Sequence, residues 1–153
     1  MLKRDKNEKI ARTPIDIVVI EKKTNFTYPI ELKYKTKKYE VNHKNERYNL
    51  TEHGASDIGR FSFRKDIYRL EQLMNKETKE GFFIVITNEK KYLLDVSDKD
   101  TIDKNFSFHD GMILQKEDKS WNYEKQLING YILNENMKLS KNDKLHWTSK
   151  GDE

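Results

Sequence analysis

Asp16, Glu31 and Lys33 are the residues whose types and spacing could do chemistry together: an acid, fourteen intervening residues, then Glu-x-Lys. Two carboxylates held about 4 Å apart near a protein surface repel by about 4 kcal/mol at an effective dielectric of 20. Such a pair favours a shared proton or a bound cation. Mg²⁺, or Mn²⁺ in its place, suits the pair: it takes oxygen ligands, keeps several waters and typically uses one or two carboxylates plus a substrate phosphate. The backbone carbonyl of Leu32 is the candidate further ligand. Lys33 follows Glu31 by two residues, so on a strand both side chains share a face. There its ammonium could orient an attacking water or neutralise charge developing on a phosphorane. Two neighbouring acids favour its charged form, which argues for an electrostatic and positioning role ahead of proton transfer.

Glu-x-Lys alone carries little weight, because it recurs at Glu21/Lys23, Glu77/Lys79, Glu89/Lys91 and Glu117/Lys119. What separates Glu31/Lys33 is its setting. Residues 14–21 are rich in β-branched side chains, apolar on both faces, and read as a largely buried strand with Asp16 near its head. A polar turn at residues 22–25 leads to a second strand over residues 28–37, which makes a β-hairpin of residues 14–37. Ile30, Leu32 and Tyr34 take one face of that strand. Glu31, Lys33, Lys35 and Lys37 take the other, and the pattern assigns this charged row to solvent. A plain exposed charged sheet face remains the alternative to a metal site.

Residues 38–59 read as a long polar connection, with Asp57 as a helix cap. Phe63, Ile67, Leu70, Leu73 and Met74 recur at spacings of three and four, which predicts an amphipathic helix over residues 60–80 ended by Gly81. Residues 82–88 form a continuous apolar run of strand character. The order strand, helix, strand implies a crossover that lays this strand parallel to the hairpin. Further short strands are expected at residues 92–96, 112–114 and 130–133, and a loose polar tail at residues 134–153.

With these elements in place, the runs Ile15-Asp16-Ile17-Val18-Val19 and Tyr28-Pro29-Ile30-Glu31-Leu32-Lys33-Tyr34-Lys35 resemble the core of the PD-(D/E)XK nuclease superfamily. Asp66-Ile67-Tyr68-Arg69-Leu70-Glu71 and the run from Gly81 to Asn88 are similar to the helix and strand that follow in some members. The likeness covers residues 14–95, and it implies a restriction-endonuclease-like α/β fold: a mixed sheet with a β-hairpin, a crossover helix and additional short C-terminal strands. It also implies Mg²⁺-dependent phosphodiester hydrolysis, with Asp16 and Glu31 as metal ligands and Lys33 as the catalytic lysine. Two departures are visible. Members usually begin with a helix, often supplying another acid, and a strand before the aspartate strand, whereas fifteen residues precede Asp16 here and Glu8 is a poor substitute. The expectation is a chain truncated at its N-terminus, a layer supplied by a partner, or a reduced fold that has lost activity. In addition, Ile15 separates Pro14 from Asp16, where members have an adjacent proline-aspartate pair.

The rest of the sequence bounds these expectations. A chain of 153 residues suits one domain, with a nuclease-like core at 14–95 and a C-terminal extension at 96–153. The absence of cysteine excludes disulfides and thiolate chemistry and fits a reducing compartment. No apolar stretch approaches the ~20 residues that span a bilayer, so a cytoplasmic protein without membrane attachment is expected. The net charge of +4 permits a phosphate backbone as partner without requiring one. DNA is the expected partner and RNA the alternative. Lys35, Lys37, Lys38, Arg64 and Arg69 are the candidate contacts, set against a solvated basic helix edge and a lysine-rich edge that blocks aggregation. His43, His53, His109 and His146 lack zinc-site spacing and read as surface, while Phe106, Phe108, Trp121 and Trp147 read as core, with stacking on bases as the alternative. The function expected against hydrolysis is a catalytically inactive relative that binds nucleic acid or protein as a regulator or inhibitor. A homodimer or a partner protein that completes the sheet is a further expectation.

Overall fold

The computed structural model describes residues 14–115, 127–128, 131–132 and 137–149. β1 (Ile17–Ile20) and β2 (Thr27–Lys35) form the antiparallel hairpin, with Ile17 opposite Ile30 and Ile20 opposite Thr27. Asn25 takes a φ of 59° in the connecting turn, a left-handed conformation that asparagine tolerates better than most residues. A second hairpin follows, β3 (Tyr39–His43) with β4 (Glu46–Leu50). The helix α1 (Ser56–Glu71) then returns the chain to β5 (Phe82–Thr87), which runs parallel to β2 with Glu31 beside Phe83 and Lys33 beside Val85. The main sheet is therefore mixed, in the order β1-β2-β5, with a helical crossover between its parallel strands, and the chain is of α/β class. Beyond it, β6 (Ile113–Leu114) pairs with β9 (Asp143–Lys144), and β7 (Leu127–Ile128) pairs with β8 (Tyr131–Ile132), all antiparallel.

Several expectations are corrected. Residues 38–59 are not a plain connection: Lys44 and Asn45, at φ 49° and 64°, close the β3–β4 hairpin, a turn that needs two positive φ values. α1 starts after Ala55, itself at φ 58°, and stops at Glu71, so Leu73 and Met74 lie in isolated turns and Gly81 is not its terminator. Asp57 sits within the first turn, where its Oδ1 accepts from the Ile58 N–H, and does not occupy the cap position. Residues 90–93 form a 3-10 turn in place of a strand. The tail is anchored where it is described, because Met137 and Leu139 are fully buried.

The core sits mainly between α1 and the segments after β5. Phe63 and Ile67 of the helix pack with Tyr92, Phe108, Leu114 and Leu139, and Phe83 and Val85 of β5 close this cluster from the sheet. Phe61, Phe106 and Met137 make a second cluster. Phe106 and Phe108 are thus core residues as expected, and Trp147 donates its Nε1–H to the Phe108 carbonyl at 2.6 Å. Trp121 lies outside the described residues.

The sheet buries the opposite face from the one its hydrophobic pattern indicates. α1 packs over β2 and β5 and covers the charged row: Glu31 is buried and Lys33 and Lys35 are half-buried. The apolar row of β2 is left open, with Leu32 at 40% and Tyr34 at 52% exposure. Register extends this open face across the sheet, since Ile17 and Phe82 flank Ile30, Ile84 lies beside Leu32, and Ile86 beside Tyr34. β1 is likewise exposed at all four residues, which corrects the expectation of a buried strand. It is an edge strand with a single neighbour, and the helix lies over the other two strands.

Candidate active site

The structure places Glu31 and Lys33 on β2 and Asp16 just before β1, the strand paired with it. Asp16 directly precedes β1, whose ladder with β2 begins with Ile17 opposite Ile30, the neighbour of Glu31. Asp16 is fixed there by its own side chain, whose Oδ2 accepts the Leu32 N–H at 2.8 Å. It is solvent-exposed, whereas the sequence pattern embeds it in a buried strand. Leu32 thus meets Asp16 through its amide, while the sequence singled out its carbonyl. On the same face of β2, the Lys33 ammonium donates to Glu31 Oε1 at 2.8 Å.

Two further residues complete the arrangement, both from α1. Arg69 places Nη2 2.6 Å from Glu31 Oε1 and 3.2 Å from Asp66 Oδ1. Lys33 Nζ lies 3.1 Å from Asp66 Oδ2, an ion-pair distance without the angles of a hydrogen bond. Two acids and two bases therefore alternate in a ring between helix and sheet, formally neutral, and this pairing is what lets the charged row face inward. The sequence shows Asp66 and Arg69 as an i, i+3 ion pair. Their bond to β2 was hidden because it depends on which face of the strand the helix covers.

The electrostatics follow from burial and pairing. Burial works to lower the Lys33 pKa, but Glu31 and Asp66 together outweigh it and hold the ammonium above its ordinary 10.5. Lys33 is thus a firmly charged group, suited to positioning and charge stabilisation. Burial raises the Asp66 carboxyl above its ordinary value, against the opposing pull of Lys33 and Arg69. Glu31 Oε2 is buried without a hydrogen-bond partner among the described residues, an unusual position for a carboxylate oxygen. A divalent ion there would take Glu31 and Asp16 as carboxylate ligands and otherwise water and substrate oxygens. Among the described residues, no group of three or more His, Asp or Glu is gathered for a metal, so the ion would rest on that pair.

The candidate nucleic-acid contacts separate into two kinds. Lys37 and Lys38 are exposed and Lys35 half-exposed, as a phosphate-binding row requires. Lys38 lies 3.8 Å from Glu40, and the Lys37 backbone is fixed by Asn88, which accepts from its N–H at 2.7 Å. Arg64 is a correction, whether read as a phosphate contact or as part of a solvated helix face. It is 1% exposed and donates to the carbonyls of Gln115 and Met137. Arg60 is buried too, with Nη1 2.5 Å from Asp103 Oδ2. Arg69 is held by Glu31 and Asp66 and is not part of a free basic edge. Among the histidines, His53 Nδ1 meets the Thr36 hydroxyl at 2.9 Å and accepts the Thr36 N–H at 3.1 Å, so it braces the end of β2.

Two cavities flank the helix elsewhere. One, about 220 Å³, lies between Met74, Phe82 and Leu145; the other, about 580 Å³, lies between Ser56, Leu94 and Ile102. Neither includes Asp16, Glu31 or Lys33. No helix among the described residues is long and apolar enough to cross a membrane. No family model, curated protein or solved structure matches the chain.

Proposed function

We propose that the chain is a metal-dependent nuclease-like domain of restriction-endonuclease-like fold, hydrolysing phosphodiester bonds of DNA, with RNA as the alternative substrate. The observation that carries this reading is that Asp16 accepts the N–H of Leu32, the residue between Glu31 and Lys33, while Lys33 reaches Glu31 from the same strand face. The parallel β2–β5 pair joined by α1 supports it at the level of the fold resemblance. Asp16 and Glu31 would hold Mg²⁺ or Mn²⁺, which polarises a phosphoryl oxygen and lowers the pKa of bound water. Lys33 stabilises charge developing on the phosphate, and the exposed Lys37 and Lys38 with Lys35 hold the backbone. Plasmid and oligonucleotide cleavage in Mg²⁺ or Mn²⁺ tests this. Wild-type protein should cut, and Asp16→Asn and Lys33→Ala should each lose about 10²-fold or more. Absent cleavage, or equal cleavage by all three proteins, defeats the proposal.

A second reading, the catalytically silent binder of nucleic acid or protein, is favoured by the closed ring itself. Glu31 Oε1 already receives two cationic groups, which weakens its pull on a metal. Calorimetric titration with Mn²⁺ separates the two readings: no uptake supports the silent form, whereas uptake that Asp16→Asn abolishes counts against it.

A further inference from the structure

The open face of the main sheet is the largest feature that the proposed chemistry does not use. Nine side chains from β1, β2 and β5 occupy it, all aliphatic or aromatic. Seven of them, including Leu32, Tyr34, Ile84 and Ile86, are 40–62% exposed. With whole aromatic side chains at roughly 150–250 Å² and aliphatic ones somewhat smaller, they present roughly 600–700 Å² of contiguous apolar surface. That is at or above the upper end of what a monomer ordinarily shows, and close to the ~800 Å² that each partner brings to a standard interface. Parallel strands make the exposure more telling, because sheets containing them are ordinarily covered on both faces. Here, among the described residues, α1 covers one face and no element covers the other.

We infer that this face packs against the same face of a second copy of the chain, giving a two-fold dimer of stacked sheets. Three properties favour a second copy over an unrelated partner. The patch carries no charge, so two copies meet without like-charge repulsion, and a self-complementary surface is all that an isologous interface demands. Its area matches half of a stable dimer. Two sheets of identical twist also stack closely, aligned at about 30° and about 10 Å apart, whereas a single helix about 10 Å across leaves part of a three-stranded face uncovered. Glu31, Lys33, Asp66 and Arg69 lie on the opposite side of the sheet, beneath α1, so the interface does not touch the ion ring.

Sedimentation equilibrium on the full chain across micromolar to millimolar concentration tests the inference. The wild type should fit a monomer–dimer equilibrium. Leu32→Glu and Ile84→Lys, each placing a charge in the interface twice, should weaken association by about 100-fold or more. Both residues are exposed in the monomer, so the variants should keep the wild-type circular dichroism spectrum. Val18→Glu, on the other face of β1, should dimerise as wild type does. A wild type that stays monomeric throughout, or one whose dimer survives both face substitutions, overturns the inference. Neither result bears on the nuclease proposal, whose readout is cleavage.

Discussion

Arg69 reaches from α1 to within 2.6 Å of Glu31 Oε1, the same oxygen that Lys33 approaches at 2.8 Å from within β2. This contact ties the crossover helix to the central strand through charge where a hydrophobic contact would be usual. Helix and strand thereby become one unit around Glu31, whose 3% exposure leaves it dependent on these partners.

Removing Arg69 should therefore cost more than a surface ion pair is worth. Arg69→Met leaves a buried carboxylate short of a partner, and unfolding in urea should show a loss of about 1–3 kcal/mol. Replacing both members, as Arg69→Met with Glu31→Leu, should recover much of that loss, because the uncompensated charge disappears. A double-mutant cycle measures the coupling. A neutral Arg69→Met would mean that the contact contributes nothing.

Gly59 sits on α1 where its missing side chain makes room for Tyr92. A Cβ at that position would overlap the Tyr92 hydroxyl and ring edge, and Tyr92 is itself buried. Helix propensity alone favours alanine over glycine by about 1 kcal/mol. Overpacking costs about 1–3 kcal/mol and should win, so Gly59→Ala should lower the melting temperature. The Tyr92 hydroxyl has no hydrogen-bond partner among the described residues. Tyr92→Phe should consequently be close to neutral alone and should recover part of the loss when combined with Gly59→Ala.

The hairpin, the helix and the parallel strand were legible in the sequence because each rests on a local period: alternation over residues 28–37, spacings of three and four around Phe63 and Ile67, an unbroken apolar run at residues 82–87. That Asp16 meets the strand bearing Glu31 and Lys33 was legible for the same reason, since it needs only the hairpin. What was not legible is which face of β2 the helix covers. Period two marks an apolar face and a charged face, and transfer free energies say to bury the first. Asp66 and Arg69 reverse that choice by supplying charges that pair with Glu31 and Lys33. Arg64 misled similarly, because its partners are the distant carbonyls of Gln115 and Met137, which no local pattern marks. The β3–β4 hairpin had a weak signal in the alternation of Tyr39 and Val41, but its turn is Lys44–Asn45, and only one of those residues favours positive φ.

If Lys35, Lys37 and Lys38 hold a nucleic-acid backbone, their contribution should appear in the salt dependence of binding. Each phosphate contact on duplex DNA adds about 0.9 to the slope of log K against log salt concentration. Replacing all three by alanine should lower that slope by about 2–3 while leaving the thermal melting curve nearly unchanged, because none of the three is buried. Arg64→Ala should do the reverse, destabilising the fold through its lost carbonyl contacts. A slope that does not move in the triple variant removes the lysine row from the interface.

Asp95 gives the chain a titration that can be followed directly. Its carboxylate accepts the Ser97 N–H at 2.9 Å and the Ser107 hydroxyl at 2.9 Å, and His109 Nδ1 lies 3.5 Å away. The Ser97 backbone bond is the leading cause, followed by the Ser97 side chain and Ser107, and together they hold the pKa at about 2 against an ordinary 3.8. A carboxylate whose folded pKa is depressed adds stability that is fully present above its unfolded value and is lost as pH falls through the folded one. The loss attributable to Asp95 should therefore fall between an unfolded value of 3.8 and a folded value of about 2. Ser107→Ala should raise the midpoint, yet leave it below the ordinary value, because the Ser97 N–H still donates. Asp95→Asn should flatten the stability profile across the same interval. Carboxyl carbon shifts followed by NMR during acid titration measure the midpoint, and a wild-type value near 3.8 would show that these hydrogen bonds do not favour the carboxylate.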